Sequence, residues 1–340
     1  MKQSSKKNEC ILLAHGGGGR LSADLIRAEI VSRFGDGPLR GLPDAASLRL
    51  EGTAIVFSTD SFVVHPLIFP GGNIGDLAVY GTVNDVAVAG GRPRWLSLGL
   101  ILEEGLPLPI LRVVLDSVKA AAARCGVQIV TGDTKVVPRG QCDGMYVNTA
   151  GIGERWPEFS LGSDRIAPGD CVMVSGCIGD HGMAVMAARE GIGIATTLVS
   201  DTAPVHGLVA AVRPFGTAVR FMRDPTRGGV AAVLNEIVAG QRFGISLDEA
   251  AIPVSAGARG LAEMLGMDIL GVPSEGRAVL LCAPEAAEAV LSTWRRLPEG
   301  SGAAVMGRVT DDAGRVVLET LAGGRRLVDV PQGELLPRIC

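Results

Sequence analysis

The chain has 340 residues, of which 47% are hydrophobic and 20% are charged. This balance is typical of a globular protein, and the length exceeds one ordinary hydrophobic core, so we expect two domains. The formal net charge of −4 argues against nucleic acid as the main partner. Aromatic residues make up only 4% and glycines number 47, which indicates tight backbone turns and helices packed through small residues.

Cysteine usage and hydropathy bear on where the protein works. The seven cysteines form no C-x-x-C pair, and an odd number is typical of reduced thiols rather than a disulfide framework. The apolar run Cys10–Ala14 is too short for a signal peptide. The longest clean apolar stretch, Trp95–Leu102, is too short to span a bilayer. We therefore expect a soluble, cytoplasmic protein.

Four consecutive glycines near the start favour a phosphate-binding loop. They are Gly16, Gly17, Gly18 and Gly19, and a helix is predicted directly after them at Leu21–Phe34. Without Cβ atoms the backbone N–H groups can turn toward an anion, and the helix would add the positive end of its dipole. A plain flexible hinge is the alternative. The chain contains no Walker A pattern, no Rossmann G-x-G-x-x-G and no G-x-S-x-G elbow.

Two predicted strands run into acidic residues. Thr53–Ser58 is rich in β-branched and aromatic residues, which predicts a strand that ends just before Asp60. Val127–Val130 predicts another strand, followed by Asp133 and Lys135. Residues two apart in an extended chain share a face, so Asp133 and Lys135 should point the same way. A carboxylate there suits Mg²⁺, and a lysine suits phosphate binding or proton transfer.

The helix predicted at Ile74–Ala89 is apolar on nearly all sides, yet it contains Asn84 and Asp85. A helix of this kind is buried, and a buried carboxylate is costly unless it is paired, hydrogen-bonded or bound to a metal. We therefore interpret Asp85 as a candidate site residue. A salt bridge to Arg92 or Arg94 is the alternative.

Asp60, Asp85 and Asp133 together form a plausible carboxylate cluster for a Mg²⁺-nucleotide, since Mg²⁺ prefers hard oxygen ligands and retained waters. The strand predicted at Met145–Gly153 carries the polar Asn148. The four histidines are scattered, each more typical of a structural or surface residue than of a ligand, and no His/Cys set has the spacing of a zinc site.

A second domain is predicted after Glu154–Gly169, a segment rich in proline, glycine, serine and charge. Its alternating helices and strands indicate an α/β or α+β domain. The loop Arg223–Gly229 precedes a helix and offers Arg227 for phosphate binding, although a solvated helix N-terminus explains it equally well. Glu275 lies in a glycine-containing loop before a predicted strand and is a candidate acid or base.

The last residue of the chain, Cys340, is the candidate around which the other residues are organised. A terminal residue has no chain beyond it to order it, and Pro337 discourages a helix just before it. We therefore expect Cys340 to be exposed on a short movable arm, with its sulfur able to reach into a pocket. A thiolate is a good nucleophile and covalent carrier. The alternative is a terminal cysteine without a role.

Taken in order, these segments resemble the HypE family of hydrogenase maturation factors. These are carbamoyl dehydratases within the superfamily of aminoimidazole ribonucleotide synthetases and selenophosphate synthetases. Single glycine motifs are weak indicators, whereas this order together with a terminal cysteine is specific. The matching motifs run nearly from end to end: HGGGG at 15–19, STDSFVV at 58–64, PGGNIGDLAVYGTVNDVAVAGGRP at 70–93, VTGDTKVV at 130–137, NTAGIG at 148–153, SGCIGDHG at 175–182, RDPTRGG at 223–229, SEGR at 274–277 and the closing PRIC.

The resemblance implies an ATP-dependent reaction on Cys340. A carbamoyltransferase, HypF, would load a carbamoyl group onto the thiol, and ATP would phosphorylate its oxygen. Deprotonation of the nitrogen and loss of phosphate would leave a thiocyanate. The cyano group would pass to iron in a HypC–HypD complex as the cyanide ligand of [NiFe]-hydrogenase. Lys135 and Glu275 become the candidates for proton transfer, and the choice between them stays open.

The resemblance also implies the cofactor site and the partner copy. Asp60, Asp85 and Asp133 should hold Mg²⁺ with ATP, whereas the glycine run, Asn148 and Arg227 should complete the nucleotide site. The expected assembly is a homodimer with the ATP sites near its interface and with no nucleic acid or membrane partner.

The implied fold has two PurM-like domains of mixed α and β structure. Residues 1–41 would form an N-terminal arm with the glycine-rich loop and its helix. Residues 42–155 would form an ATP-binding domain whose sheet dimerises into a barrel-like core. Residues 165–328 would form the second domain, and residues 329–340 a flexible tail that ends in the carrier cysteine.

Two rival functions stay open on the sequence. A small-molecule synthetase of the same superfamily would have no use for Cys340, and a selenophosphate synthetase would place a reactive cysteine before glycine and lysine, whereas Cys10 precedes Ile-Leu-Leu. A non-catalytic carbamoyl carrier would not need Asp85 inside an apolar helix. Tyr80 departs from the family pattern, in which a smaller residue, often cysteine, is expected, so any role of a thiol there is absent.

Overall fold

The computed structural model describes residues 20–25, 27–28, 46–50, 53–191, 198–330, 336 and 338–340. The α-helices of these residues are α1 Arg20–Leu25, α2 Ile74–Val88, α3 Leu108–Cys125, α4 Asp180–Arg189, α5 His206–Ala211, α6 Gly229–Val238, α7 Ala256–Leu265 and α8 Pro284–Arg295. The strands are β1 Ala46–Leu50, β2 Thr53–Phe62, β3 Ile68–Phe69, β4 Gly72–Asn73, β5 Gly91–Glu103, β6 Gln128–Val137, β7 Met145–Arg155, β8 Cys171–Val174, β9 Val219–Arg223, β10 Gly244–Asp248, β11 Val279–Cys282, β12 Ala304–Thr310, β13 Val316–Glu319 and β14 Arg325–Leu327. Short 3₁₀ turns lie at Ser163–Arg165, Arg213–Ala218, Glu249–Ala251, Ile269–Gly271 and Pro298–Gly300.

The first sheet has five strands in the order β1-β2-β7-β5-β6. All neighbours are antiparallel except β5 and β6, which run parallel. Both strands extend beyond the predicted ends at Ser58 and Val130, so Asp60 and Asp133 lie within them. Strand β2 continues because Asp60 pairs with Thr149 of β7, and β6 continues because Asp133 pairs with Gly99 of β5.

Helix α2 forms the core of this half of the molecule. Asn73 caps it, accepting from the Gly75 N–H at 2.8 Å, while Asp76 accepts from the Asn73 N–H, which completes a capping box. The helix packs on β2, β5 and β7, and nearly all of its side chains are buried, including the fully buried Leu77 and Val83. An apolar helix with no polar face is stable only in such a surrounding.

The other face of the first sheet carries exposed apolar side chains. Phe57 and Trp95 both pair with Ile152, so these residues lie in one row across the sheet, and 37% of Phe57 and 41% of Trp95 are exposed. Ile101, farther along β5, is also 41% exposed. Strand β6 lies at the sheet edge, and its side chains are exposed along nearly its whole length.

The second sheet has seven strands in the order β14-β13-β10-β12-β8-β11-β9, all antiparallel except for β10 beside β13. Its central strands β8 and β11 are buried on both faces. Helix α6 covers one face and α8 the other, where Trp294 is fully buried and donates to the Leu208 carbonyl. The mixed α and β architecture agrees with the fold expected from the sequence.

The end of the chain is docked on the protein, so the prediction of an exposed Cys340 is wrong. Leu336 and Ile339 are only 5% and 3% exposed and pack with Phe62 and Met183 in the core that α2 shares with α4. The apolar character of these two tail residues is the physical reason, since their burial removes apolar surface from water.

Two further expectations concern the surroundings of the protein. Among the helices of the described residues, none is long and apolar enough to cross a membrane. The cysteines of the described part of the chain are free thiols, namely Cys125, Cys142, Cys171, Cys177, Cys282 and Cys340.

Candidate active site

Helix α2 directs its two internal polar residues to different partners. Asn84 is fully buried, and its side chain accepts from the Val205 N–H at 2.7 Å and donates to the carbonyls of Ala203 and Glu275. Asp85, by contrast, is partly exposed and accepts from Ser58 Oγ at 2.5 Å. The polar residues of the apolar helix are therefore explained by contacts with the second domain and with strand β2.

Asp60 and Asp85 lie on the same side of the first sheet. Ser58, the partner of Asp85, is two residues from Asp60 on β2, and residues two apart in a strand share a face. Arg94, one of the two arginines considered as a salt-bridge partner of Asp85, pairs with Glu154 at 3.5 Å.

Arg227, on the loop before α6, faces this pair of carboxylates. The pKa of Arg227 is raised, first by the neighbouring Cys340 and then, against the effect of burial, by the carboxylates Asp60, Glu275 and Asp85. One guanidinium among several acidic groups can offset their repulsion, and it is well suited to bind a phosphate.

Glu275 occupies the most enclosed position of the site. It is 2% exposed, and its backbone N–H donates to Asp201. Its Oε1 is buried without a hydrogen-bond partner among the described residues, as is Oδ2 of the adjacent Asp201. Burial raises the pKa of Glu275 well above its usual range, and the nearby charges of Asp224, Asp201 and Asp60 raise it further. A carboxyl in this setting is a strong base once ionised.

The docked tail brings the Cys340 thiol to Glu275. Burial raises the pKa of the thiol far above its ordinary value, the nearby Glu275 raises it further, and Arg227 opposes the effect. The Cys340 carbonyl accepts from the Val63 N–H at 3.3 Å, next to the end of β2. In the docked position the sulfur is therefore a neutral thiol, and a neutral thiol is a poor nucleophile.

Asp133, Lys135 and Asn148 lie apart from this pocket within one chain. The register aligns Asp133 with Gly99, and Gly99 with Asn148 of β7. Asn148 donates to Ser61 Oγ at 3.0 Å, whereas the neighbouring Thr149 donates to the Ala78 carbonyl of α2. Since side chains alternate, Asp133 projects from the face opposite to Asp60.

Asp133 and Lys135 do share a face, as the sequence predicts. Lys135 Nζ lies 3.6 Å from Asp133 Oδ2, and both side chains are about two-thirds or more exposed, at 72% and 69%. In one chain the three predicted carboxylates thus do not converge, and no group of three or more His, Cys, Asp or Glu that could hold a metal occurs in the described part of the chain. Gly16, Gly17, Gly18 and Gly19 lie outside the described residues.

His181 is a residue that sequence reasoning passed over as one of four scattered histidines. It is fully buried, and its Nε2 lies 2.7 Å from the carbonyl oxygen of Ile339 in the tail. Burial lowers the pKa of His181 to about 4, so the ring is neutral. The sequence indication was its place between Gly179 and Gly182, which allow close packing: a Cβ on Gly182 would lie 3.1 Å from the Leu336 side chain.

Comparison with known proteins places the chain in a family. The AIR synthase related protein models match its N-terminal domain at residues 43–155 and its C-terminal domain at residues 167–319. A carbamoyl dehydratase HypE of Rhizobium leguminosarum bv. viciae is 49% identical over 335 residues, which cover 98% of this chain and 96% of the relative.

Solved structures agree with the sequence comparison. A chain in the crystal structure of a HypE–HypF complex is 41% identical and superposes with a TM-score of 0.86, covering 90% of this chain and 99% of that one. A hydrogenase maturation protein HypE crystallised in complex with ATP is 44% identical with a TM-score of 0.81, covering 97% of this chain and 100% of that one. These matches cover nearly the whole chain, and they show that it belongs to the HypE family of carbamoyl dehydratases, among the AIR synthase related proteins.

Proposed function

We propose that the protein uses ATP to dehydrate a carbamoyl group carried on Cys340. The thiocarbamate and ATP give a thiocyanate, ADP and inorganic phosphate. The carbamoyl oxygen leaves within the phosphate, and both protons leave the nitrogen. The cyano group is then available as the cyanide ligand of the [NiFe]-hydrogenase iron.

The observation that carries this proposal is the docked tail, in which the Ile339 carbonyl lies 2.7 Å from His181 Nε2 and the Cys340 thiol lies near enough to Glu275 for that carboxyl to raise its pKa. Because the docked thiol is neutral, this pocket is unsuited to loading the sulfur by nucleophilic attack. It is suited to chemistry on a group that the sulfur already carries. Glu275, whose Oε1 is buried without a hydrogen-bond partner among the described residues, would in its ionised form accept a proton from the carbamoyl nitrogen.

The surrounding charges fit a nucleotide with one divalent cation. Asp60 and Asp85 would hold Mg²⁺, since nucleotide-bound Mg²⁺ commonly takes one or two carboxylates together with phosphate oxygens. Arg227 would bind and orient the transferred phosphate. Bound Mg²⁺-ATP supplies the phosphoryl group that turns the carbamoyl oxygen into a leaving group. Glycines 16–19 and Asn148 are the further candidates for the nucleotide site.

A homodimer would complete the site. The outer face of the first sheet exposes Phe57, Trp95 and Ile101, and contiguous apolar surface on a soluble protein marks an interaction surface. Lys135 pairs in register with Ile101, so a second copy on this face would bury Lys135 at the interface. Lys135 and Asp133 would then serve the site of the partner, with Lys135 as the second candidate for proton transfer.

The proposed reaction needs a donor and an acceptor. A carbamoyltransferase of the HypF kind loads Cys340, and an iron-carrying HypC–HypD complex receives the cyano group. Free thiols in the described chain suit a reducing compartment, so we place these steps in the cytoplasm.

Mass spectrometry of the C-terminal peptide tests the proposal. The protein is carbamoylated by its transferase and then incubated with and without Mg²⁺-ATP. Loss of one water from the modified Cys340 peptide only in the presence of ATP is the expected result. A carbamoyl adduct that persists unchanged would identify a non-catalytic carrier, and the absence of any adduct on Cys340 would favour a small-molecule synthetase of the same superfamily.

A further inference from the structure

The docked tail is held mainly through its main chain. The Arg338 carbonyl accepts a hydrogen bond from the His65 N–H at 3.1 Å. Two residues before His65, the Val63 N–H donates to the main-chain oxygen of Cys340. The tail therefore adds a short strand-like segment beside residues 63–65. Contacts of this kind fix the register of the tail and hence the depth that the Cys340 sulfur reaches.

His181 recognises the carbonyl of the residue before the cysteine. A carbonyl oxygen only accepts, so the contact with Ile339 requires Nε2–H to donate. Nδ1 is then an acceptor, and Ser200 Oγ lies 2.8 Å from it. Phe69 meets the ring edge-on at 5.4 Å between centroids. With the tail docked, the ring is held in one tautomer and one orientation.

Arg189, at the end of helix α4, connects the tail to the body of the protein. Its Nη2 donates to the Arg338 carbonyl at 2.6 Å and to the His65 carbonyl at 2.9 Å, and its Nε donates to His65 as well. One guanidinium thus joins the two adjacent backbone segments. Arg338 itself pairs through its side chain with Asp143.

Arg338 also introduces strain that opposes docking. Its φ of 52° makes it the one non-glycine residue of the described chain with a positive φ. A residue with a Cβ pays for the left-handed conformation and keeps it only where surrounding contacts impose it. Specific contacts therefore stabilise the docked tail, and the strained backbone at Arg338 destabilises it. Opposing effects of this kind allow the tail to be released.

We propose that His181 and Arg189 form a latch that holds the Ile339 and Arg338 carbonyls and so positions the Cys340 sulfur against Glu275. The two side chains are positioning residues, since they touch the tail and not the reacting atoms. The latch binds main-chain atoms, so the tail is held in the same register whether or not the Cys340 sulfur is modified. Closing it favours the step in the pocket, and opening it favours loading of the sulfur outside.

This inference predicts effects of opposite sign on two measurements. Loss of the His181 hydrogen bond should shift the tail toward the undocked state by about tenfold. The rate of Cys340 alkylation by iodoacetamide, read on the C-terminal peptide of the full-length protein, should rise by that factor in His181→Leu. Single-turnover dehydration of carbamoylated Cys340 at saturating ATP should fall by a similar factor. Misfolding would also expose Cys340 and stop dehydration, so the buried thiols Cys171 and Cys282 must stay as slow to alkylate in the variant as in the unchanged protein.

Matched variants separate the latch from a structural role. His181→Gln keeps a donor for the Ile339 carbonyl and should restore both rates toward those of the unchanged protein. Arg189→Met removes the second contact from a partly exposed position, so it tests the latch even if His181→Leu fails to fold. Arg259→Met, on the exposed face of α7, is the control and should change neither rate.

Unchanged alkylation of Cys340 in both His181→Leu and Arg189→Met would overturn the latch. The dehydration measurement rests on the proposed function, whereas alkylation does not. If the unchanged protein fails to dehydrate its tail, the proposed function fails while alkylation still decides the latch.

Discussion

The buried side chain of Asn84 donates to the main-chain carbonyl of Glu275 at 3.3 Å, linking the central helix of the first domain to the loop of the candidate base. The same amide donates to the Ala203 carbonyl, and its oxygen accepts from the Val205 N–H. One side chain therefore fixes two loops of the second domain relative to the first sheet. The position of Glu275 depends on contact between the domains as well as on its own loop.

Replacing Asn84 with alanine should lower both stability and activity. The change leaves two buried carbonyls and one buried N–H without their partner, so we expect the free energy of unfolding to fall by roughly 2–4 kcal/mol. Urea denaturation measures this loss. Dehydration of the carbamoylated tail should slow in the fraction that stays folded, because the Glu275 loop loses its anchor.

Asn235→Ala is the matched control for this prediction. Asn235 also donates to two carbonyls, of Ala231 and Val328, but on helix α6 away from Glu275. Its loss should destabilise the protein without slowing dehydration per folded molecule. Equal slowing in both variants would mean that Asn84 acts on stability alone.

The sequence identified the polar residues of helix α2 as unusual, but it did not predict the faces on which the other candidate residues lie. Asn84 and Asp85 were identifiable because polar residues are anomalous in an apolar helix, and the helix itself was predicted to within one residue of its end at Val88. The face of Asp133 was not predictable, because it depends on the register of β6 against β5. Local periodicity carries no information about that register.

The docking of the tail could not be predicted from the sequence, for a similar reason. The expectation of an exposed Cys340 rested on its terminal position, whereas the structure buries Leu336 and Ile339 in the core. The partners of the tail, His181 and Arg189, come from a helix about 150 residues earlier in the chain. Contacts at that separation are a property of the assembled fold.

Glu275→Gln should abolish dehydration and stabilise the protein at alkaline pH. Burial raises the pKa of Glu275 above its ordinary 4.5, so the folded protein keeps a proton that the unfolded chain releases above about that pH. Stability linked to this group is fully present below pH 4.5 and is lost as the pH rises toward the folded pKa. Glutamine stays neutral throughout and avoids that loss.

Thermal melting of the Glu275→Gln variant between pH 5 and pH 8 checks this sign. The variant should melt close to the unchanged protein at pH 5 and at a higher temperature at pH 8. Glu288→Gln, at an exposed position on helix α8, is the control. The difference between its melting temperature and that of the unchanged protein should not increase with pH. A Glu275→Gln protein that loses stability as the pH rises would contradict a buried, protonated carboxyl.

Asp85→Asn should remove ATP-dependent chemistry while preserving the fold. The amide oxygen can still accept from Ser58 Oγ, so the contact at 2.5 Å survives, but the negative charge proposed for Mg²⁺ is gone. We expect the rate of ATP hydrolysis to fall on the order of 100-fold. Asp116→Asn, exposed on helix α3, should hydrolyse ATP normally. Normal hydrolysis by the Asp85→Asn protein would exclude Asp85 from the metal site.

Mixing two inactive variants tests whether Lys135 serves the partner copy. Lys135 projects from the outer face of the first sheet, whereas Asp60 projects from the face toward helix α2, so we expect Lys135 to act across the dimer interface. Lys135→Met keeps a tail but lacks the amine, and Cys340→Ala lacks the carrier thiol. In a mixed dimer the first chain supplies Cys340 and the second supplies Lys135.

Each variant alone should fail to form thiocyanate on its tail. After unfolding and refolding together in equal amounts, about half of the Cys340-bearing chains should lie in mixed dimers and regain dehydration, because pairing is random. Size-exclusion chromatography confirms the dimer, and C-terminal-peptide mass spectrometry counts the converted tails. If dimers form and no tail is converted, Lys135 acts within its own chain, and the sheet must then bring its two faces together by a movement absent from this structure.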